Sequence, residues 1–304
     1  MSSASAVGYT SAEELEPVEI GIVGGTGIYK LAQLQDLKEY EIMTPFGAPS
    51  DKAHVGTLFG VRVVFLPRHG AGHAAIPSEI NFRANLYALK LFGVKYLLSV
   101  SAVGSLQFEI PPVSLILPSQ FIDLTKKRES TFFGNGAVAH VSFSHPVCPN
   151  FQQLVEEAIK EKVEAKLHTG GTYVCMEGPQ FSTEAESKMY KVLGGDIIGM
   201  TAATEAKLAR EAEMAFCLIS LVTDYDSWHP GHDAVSVEMV LENLKEVTAF
   251  GQEAVVAAIE KISKVGLPES SAHDALKFAV MTPLESMDAD TWSRLGLFLA
   301  KYKK

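Results

Sequence analysis

Short apolar runs without polar alternation recur along this chain, and between them apolar residues return every three or four positions. The first pattern predicts strands buried on both faces, and the second predicts amphipathic helices packed against them. Residues 215–222 form the clearest such run, joined by 18–23, 95–101, 113–117, 172–175 and 196–200. Residues 55–66 read as two strands turning near Phe59-Gly60, because β-branched and aromatic residues flank that point. Phe82, Leu86, Leu89 and Phe92 recur at helical spacing, with Ser78 placed as a cap and Gly93 as a stop. Leu154, Val155, Ala158 and Ile159 mark a second helix. Thr183-x-x-Glu186 is a capping box opening a third, which ends at Gly194-Gly195. Residues 204–213 form another helix, and Ser236 caps a long amphipathic one reaching about Lys264. A break rich in Gly, Pro and Ser at 266–271 precedes a short helical tail. Residues 1–17 are small, polar and acidic and read as a flexible tail. Strands alternating with helices from 18 to 304 predict one α/β domain around a parallel or mixed central sheet.

Composition narrows the setting. At 304 residues and 47% hydrophobic, the chain can bury a large core. A formal net charge of −10 argues against nucleic acid or an anionic membrane surface as partner, and any bound anion needs local donors. Cys148, Cys175 and Cys217 lie far apart without C-x-x-C spacing, as buried thiols in a reducing compartment would. The N-terminus lacks a basic stretch followed by an apolar one, and no apolar run reaches the ~18 residues that a membrane span needs. A cytoplasmic protein is the expectation.

The candidate chemistry gathers where strands end. Thr223-Asp224-Tyr225-Asp226 follows the 215–222 run, at the carboxyl end where open α/β sheets bind ligands. Two carboxylates at i and i+2 can accept from an amino-substituted flat ring or hold a proton for a leaving group. By itself the pair fits equally a loop cap or half of a metal site. Gly24-Gly25-Thr26-Gly27 offers backbone N–H groups and a hydroxyl to a phosphate, or simply a turn. It lacks the third glycine of a dinucleotide fingerprint and the Gly-Lys-Ser/Thr of a P-loop. Arg68 and His69 supply donors at another strand end. The small residues of 99–105 and the Met200-Thr201 pair add open backbone and hydroxyls. No His-Glu-x-x-His or Gly-x-Ser-x-Gly occurs, and His229-x-x-His232 lies in a Pro-Gly loop that reads as solvated, so no metal is expected. The sum is a phosphate pocket adjoining a carboxylate pair.

In order along the chain stand Gly24-Gly25-Thr26-Gly27, Thr44-Pro45-Phe46-Gly47-x-Pro49-Ser50, Arg68-His69-Gly70-x-x-His73, Glu177-Gly178-Pro179-x-Phe181-Ser182, Met200-Thr201 and Thr223-Asp224-Tyr225-Asp226. Together they resemble the 5′-methylthioadenosine phosphorylases, a family within the trimeric purine nucleoside phosphorylase superfamily. The resemblance runs from about Glu19 to Glu260. It implies the nucleoside phosphorylase fold, a single α/β domain with a twisted mixed sheet flanked by helices, assembled as a homotrimer with sites near subunit interfaces. It implies phosphate-dependent cleavage of the N-glycosidic bond of methylthioadenosine, with adenosine as a further candidate substrate, phosphate as co-substrate and no metal or organic cofactor.

By the same resemblance Thr26, Arg68, His69, Ser101, Ala102 and Thr201 hold phosphate, while Met200 packs on the ribose. Asp224 supplies a proton toward the purine N7, Asp226 accepts from the 6-amino group, and Phe181 and Ser182 frame the base. The 5′ substituent falls to Val237, Val240 and Leu241, with His140 nearby and Met281 entering from a neighbouring subunit. The chain departs from the family pattern at Ser101 (usually Thr), Val103 (often Cys), Gly199 (usually Asn) and Gln180 (usually Arg). Gly199 leaves the nucleoside without a side chain that relatives carry. Two other readings compete: a 6-oxopurine nucleoside phosphorylase for inosine or guanosine, and a non-catalytic nucleoside sensor on the same fold. Two acceptor carboxylates suit a 6-amino purine better than a 6-oxo one, and a sensor has no need of a proton donor.

Overall fold

The computed structural model describes residues 9–25, 31–230 and 236–303. Among them eleven strands join in one sheet: β1 Ile20–Gly24, β2 Gln35–Tyr40, β3 Ala53–Leu58, β4 Val61–Pro67, β5 Tyr96–Ser105, β6 Leu115–Leu117, β7 Gln120–Asp123, β8 Leu167–Thr169, β9 Thr172–Cys175, β10 Ile197–Gly199 and β11 Ala215–Tyr225. The helices are α1 Phe82–Leu91, α2 Pro149–Lys162, α3 Glu184–Val192, α4 Ala202–Glu211, α5 Val237–Val265 and α6 Ala289–Leu299.

The unalternated apolar runs have a direct cause. Successive side chains of a strand point to opposite faces, and here both faces are covered. Leu97 of β5 with Phe216 and Leu218 of β11 enters one core, which holds residues of α1, α4 and α6. Tyr96 and Leu98 with Cys217 and Ile219 enter the other, which holds residues of α2 and α5. The sheet is mixed: β1 runs parallel to both β4 and β5, and β5 runs parallel to β11, whereas β10 meets β5 antiparallel.

β5 organises this sheet. On one edge it pairs with β11 along its length, from Tyr96 opposite Ala215 to Ser105 opposite Tyr225. On its other edge β1 pairs only as far as Val100, and β10 takes over at Gly104. Between them, no strand is registered opposite Ser101, Ala102 and Val103 on that edge among the described residues. The sheet opens there, and strand divergence of this kind is where α/β folds place ligands.

Several expected boundaries shift. β5 runs four residues past Ser101, so Ser101 and Ala102 lie inside a strand and not at its end. β11 likewise continues to Tyr225, which puts Asp224 on the strand after a register shift between Val222 and Asp224. Asn81, not Ser78, caps α1 by accepting from the Ala84 N–H, and the Ser78 hydroxyl donates to Glu177 instead. β6 starts at Leu115, because Val113 holds a left-handed backbone (φ 63°). α4 begins at Ala202 and stops before Glu213, itself at φ 57°. The capping box of Thr183 and Glu186 forms with both reciprocal bonds, and Phe59 and Gly60 both take positive φ in the β3–β4 turn. The exposed strand β2 carries Gln, Asp, Lys and Glu and gave no apolar signal in the sequence.

Leu218 is fully buried at the centre of β11. Leu218→Ala is expected to lower unfolding free energy by about 3 kcal/mol through lost transfer energy and the cavity left behind. Urea denaturation checks this, and a loss under ~1 kcal/mol would show that the core collapses around the deletion.

Candidate active site

The sheet opening is furnished from three directions. Arg68 follows β4, and its backbone N–H donates to the Gly24 carbonyl, extending the β1–β4 ladder. Its side chain runs beneath β1 and is almost wholly buried. Nη1 donates to the Val100 carbonyl (3.1 Å), and Nη2 donates to Ser99 Oγ (2.8 Å) and Glu205 Oε2 (3.1 Å). Nε donates to Glu205 Oε1. Four of the five guanidinium N–H groups are thus engaged inside the protein. Ser99 Oγ in turn donates to Glu205 Oε2 at 2.6 Å. The expectation that Arg68 presents its fork to an anion is therefore corrected: the fork is spent on Glu205, and one Nη1 N–H is left over.

His69, beside it, differs from the donor expected. Its Nδ1 lies 2.9 Å from the Ala75 carbonyl, which can only accept, so Nδ1 carries the proton. Burial, then the adjacent Arg68 charge, lowers its pKa to about 4, partly offset by the Ala75 bond. A neutral ring with a bare Nε2 is the result, stacked on His73 at 4.0 Å between centroids.

Ser101 and Thr201 face one another across the opening, their hydroxyl oxygens 3.4 Å apart and both side chains buried. Ala102 is the one exposed residue of β5. Thr26 lies outside the described residues. Thr201 also stands at the N-terminus of α4, where helix N–H groups and the helix dipole favour an anion.

Three residues further along β5 the carboxylates appear. At ~3.3 Å per residue, Gly104 lies roughly 10 Å from Ser101. Asp224 pairs with Gly104 across the ladder, and the Asp226 N–H donates to the Ser105 carbonyl (2.9 Å). A Cβ on Gly104 would sit 2.9 Å from Asp224 Oδ1 and 3.5 Å from Asp226 Cβ, so a side chain here would displace the Asp224 carboxylate. Burial pushes the Asp224 pKa up to about 6; the Thr223 hydroxyl, 2.6 Å from Oδ2, opposes this, and the Asp226 charge adds to it. Burial also raises Asp226, against hydroxyls of Ser187 and Ser182 that pull it down. Its Oδ2 is buried and accepts no hydrogen bond, an acceptor awaiting a donor.

The walls follow from the same loops. Ser182 is held by its carbonyl, which accepts from Ser227 Oγ at 2.7 Å, tying Phe181 and Ser182 to the segment after Asp226. Met200, partly buried, follows the end of β10 and directly precedes Thr201. Arg128 Nη1 donates to its carbonyl (2.9 Å), while Arg128 Nε donates to Glu177 Oε1 (2.8 Å). Burial pushes Glu177 up, but Ser78, Arg128 and the Lys126 and Lys127 N–H groups outweigh it and bring it to about 2. A Cβ on Gly178 (φ 69°) would meet Met200 Sδ at 2.5 Å, so glycine is needed there twice over.

The 5′ group of residues divides. Val237 and Leu241 are exposed and Val240 is partly buried, at the start of α5. Asn243 ties that helix to the acids by donating to the Thr223 carbonyl (2.7 Å). His140 and Met281 instead flank the isolated bridge of Ala139 and Val280, with the His140 N–H donating to Ala279 and the Met281 N–H donating to Val138. No hydrogen bond or ring contact among the described residues joins them to α5 or to the acids. A cavity of about 550 Å³ opens beside His140, lined by Cys148, Arg210 and Phe278, and it contains none of the acids or hydroxyls above. Glu205, Arg128 and Asn243 carry the site without a signal in the sequence, where Gly104 stands only as one of the small residues of 99–105.

The Phosphorylase superfamily model matches residues 19–260 of this chain. The S-methyl-5′-thioadenosine phosphorylase of Gloeobacter violaceus is 51% identical over 286 residues, covering 93% of this chain and 95% of the relative. That of Geobacter sulfurreducens is 47% identical over 285 residues, 93% and 98% of the two chains. A methylthioadenosine phosphorylase crystal structure from an antarctic soil metagenomic library superposes with a TM-score of 0.89 at 47% identity, covering 93% of this chain and 99% of the other. Methylthioadenosine phosphorylase from Schistosoma mansoni in complex with adenine gives 0.80 at 32% identity, covering 87% and 99%.

Two outcomes are expected from this geometry. Glu205→Gln strands the buried Arg68 charge and should cost about 3–5 kcal/mol in urea denaturation. A cost below ~1 kcal/mol would mean the guanidinium is neutralised elsewhere. For Asp224, the folded pKa of about 6 exceeds the ordinary 3.8. The folded state therefore holds the extra proton between those values, and stability falls as pH rises through that window. Asp224→Asn has no such proton to lose, so its stability relative to wild type should rise by up to about 3 kcal/mol from pH 4 to pH 7. Parallel stability curves for the two proteins would contradict the buried acid.

Proposed function

Because the chain belongs to the phosphorylase superfamily, we propose that its opening in the sheet cleaves methylthioadenosine with phosphate, giving adenine and 5-methylthioribose 1-phosphate. It is a pentosyltransferase. The observation that carries the reading is the buried pair Asp224 and Asp226 on either side of Gly104, roughly 10 Å along β5 from a buried hydroxyl pair. One nucleoside spans that distance, with phosphate at one end and base at the other.

Phosphate enters at Ser101, Ala102 and Thr201, against the N-terminus of α4, and Thr26 is assigned to it with them. Arg68 lies behind it, supplying a fixed positive end to the Ser99–Glu205 network and one free N–H. His69 receives the anion differently: a dianion beside the ring offsets the Arg68 repulsion and raises the imidazole pKa, turning Nε2 into a donor. A phosphate oxygen attacks C1′ as the bond from C1′ to the purine nitrogen breaks, and the bond pair leaves with adenine. With its pKa raised to about 6, Asp224 keeps a protonated fraction near neutral pH, and that form donates to purine N7, so the base departs neutral. Asp226 Oδ2 accepts from the 6-amino group, as a buried acceptor without a partner is suited to do. A 6-oxo purine would place an acceptor against it, which disfavours inosine and guanosine. Met200 packs on the ribose, and Phe181 and Ser182 frame the base. Phosphate is the co-substrate, and no step calls for a metal or organic cofactor.

Val237, Val240 and Leu241 form an apolar wall for the methylthio group, Val237 and Leu241 exposed and Val240 partly buried. His140 and Met281 lie on another part of the surface, so a homotrimer in which a neighbour contributes them completes the pocket. No helix among the described residues is long and apolar enough to cross a membrane, and the reading places the enzyme in the cytoplasm.

Chromatography of incubations with methylthioadenosine, adenosine and inosine, each with and without phosphate, tests the function. Free adenine from methylthioadenosine only when phosphate is present is the expected result. Release without phosphate would make the protein a hydrolase, and turnover of inosine alone would move it to the 6-oxopurine branch. Asp224→Ala should lower kcat by at least ~100-fold, the ordinary worth of a general acid; an unchanged kcat removes Asp224 from the mechanism.

A further inference from the structure

Gly199 ends β10 directly before Met200 and Thr201, and a neighbouring strand has grown into the space its side chain would fill. The ring of Tyr173 on β9 approaches so closely that a Cβ on Gly199 would lie 2.6 Å from Cζ and 3.1 Å from Cε2, with the hydroxyl nearer still. Strand register makes this possible: Tyr173 pairs with Ile197 and Cys175 with Gly199, so the tyrosine ring leans along β10 toward its end. The ring is wholly buried, against Phe121 at 5.4 Å between centroids.

The hydroxyl reaches the first turn of α4. The Thr201 N–H donates to it at 3.4 Å, and the Ala202 N–H also faces it. Thr201 makes no side-chain cap of its own helix. Its hydroxyl is directed to Ser101 instead. A buried tyrosine oxygen thus does for this turn what a cap residue usually does, and leaves the Thr201 hydroxyl uncommitted to the backbone.

We propose that Tyr173 and Gly199 act as a matched pair, in which the tyrosine hydroxyl occupies the space of the missing side chain and positions Thr201 for phosphate. Tyr173 is a positioning residue: with no exposed surface it touches neither substrate, and its influence passes through Thr201. Met200 is affected less, because Arg128 holds its carbonyl independently. The nucleoside side of the site is therefore insulated from the pair, whereas the phosphate side is not. The pair also accounts for a glycine at a position where the family resemblance leads one to expect asparagine. The inference rests on the phosphorylase reading for its kinetic consequence, but the contact itself does not.

Tyr173→Phe keeps the ring and removes only the oxygen. Steady-state kinetics with phosphate varied should show KM for phosphate raised about 10-fold, with kcat and the nucleoside KM within about 2-fold of wild type. Isothermal titration of the free enzyme with inorganic phosphate should show the same weakening without any turnover. An unchanged phosphate affinity, or equal rises in both KM values, overturns the proposal. Gly199→Ala supplies the second test, since its methyl group collides with the tyrosine ring. That variant should lose at least ~10-fold in phosphate affinity, and adding Tyr173→Phe to it should cost no more than about 2-fold further, because the tyrosine oxygen is already displaced. Full phosphate affinity in Gly199→Ala alone, or a further ~10-fold loss in the folded double variant, also overturns it. If wild type binds phosphate but releases no adenine, the functional reading fails while the titrations still decide the pair.

Discussion

The site depends on one constraint: β5 is ten residues long, but β1 accompanies only its first half. β11 holds the whole of β5 on one edge, so the strand cannot bend away to find another partner. The other edge is left open over three residues until β10 arrives. Unpaired backbone is costly when buried and useful when it faces a ligand. Ser101, Ala102 and Thr201 gather around that opening, and Gly104 marks its far end.

Around this opening the charges are kept apart by burial. Arg68 is neutralised by Glu205 within the protein, which lets a full positive charge lie behind the opening without an unpaired ion in the core. Asp224 and Asp226 have no such partner. Desolvation raises both pKa values, and Gly104 places no side chain against them. The same fold thus makes one end of the opening tolerant of an anion and the other hungry for donors. A chain with net charge −10 can bind phosphate in this way because the relevant field is local.

Three buried or half-buried links set the remaining geometry. Glu177 and Arg128 fix the Met200 carbonyl, Tyr173 fixes the Thr201 N–H, and Asn243 joins α5 to the strand just before Asp224. None touches a reacting atom. They hold a three-residue turn, the end of a strand and the start of a helix in register, which is the tolerance that positioning for in-line attack demands. Among the described residues, Val237 and Leu241 at the start of α5 stay exposed.

Local sequence was enough for the strand runs of β1, β5, β9 and β11, for the α3 capping box, and for the acids of 224 and 226. Unalternated apolar residues and cap chemistry are short-range signals, and both faces of this sheet are covered as such runs require. The charged strand β2 escaped because an exposed edge needs no apolar residues. Boundaries were lost where pairing overrides propensity, as in the extension of β5 and β11 to Ser105 and Tyr225. Tertiary structure alone decided that the Arg68 fork belongs to Glu205, that His69 Nδ1 is bound to the Ala75 carbonyl, and that Tyr173 stands in the space beside Gly199. Those partners lie 137, 6 and 26 residues apart in sequence. A residue's type reveals which bonds it can make; which of them it makes depends on what the folded chain brings within 3 Å of it.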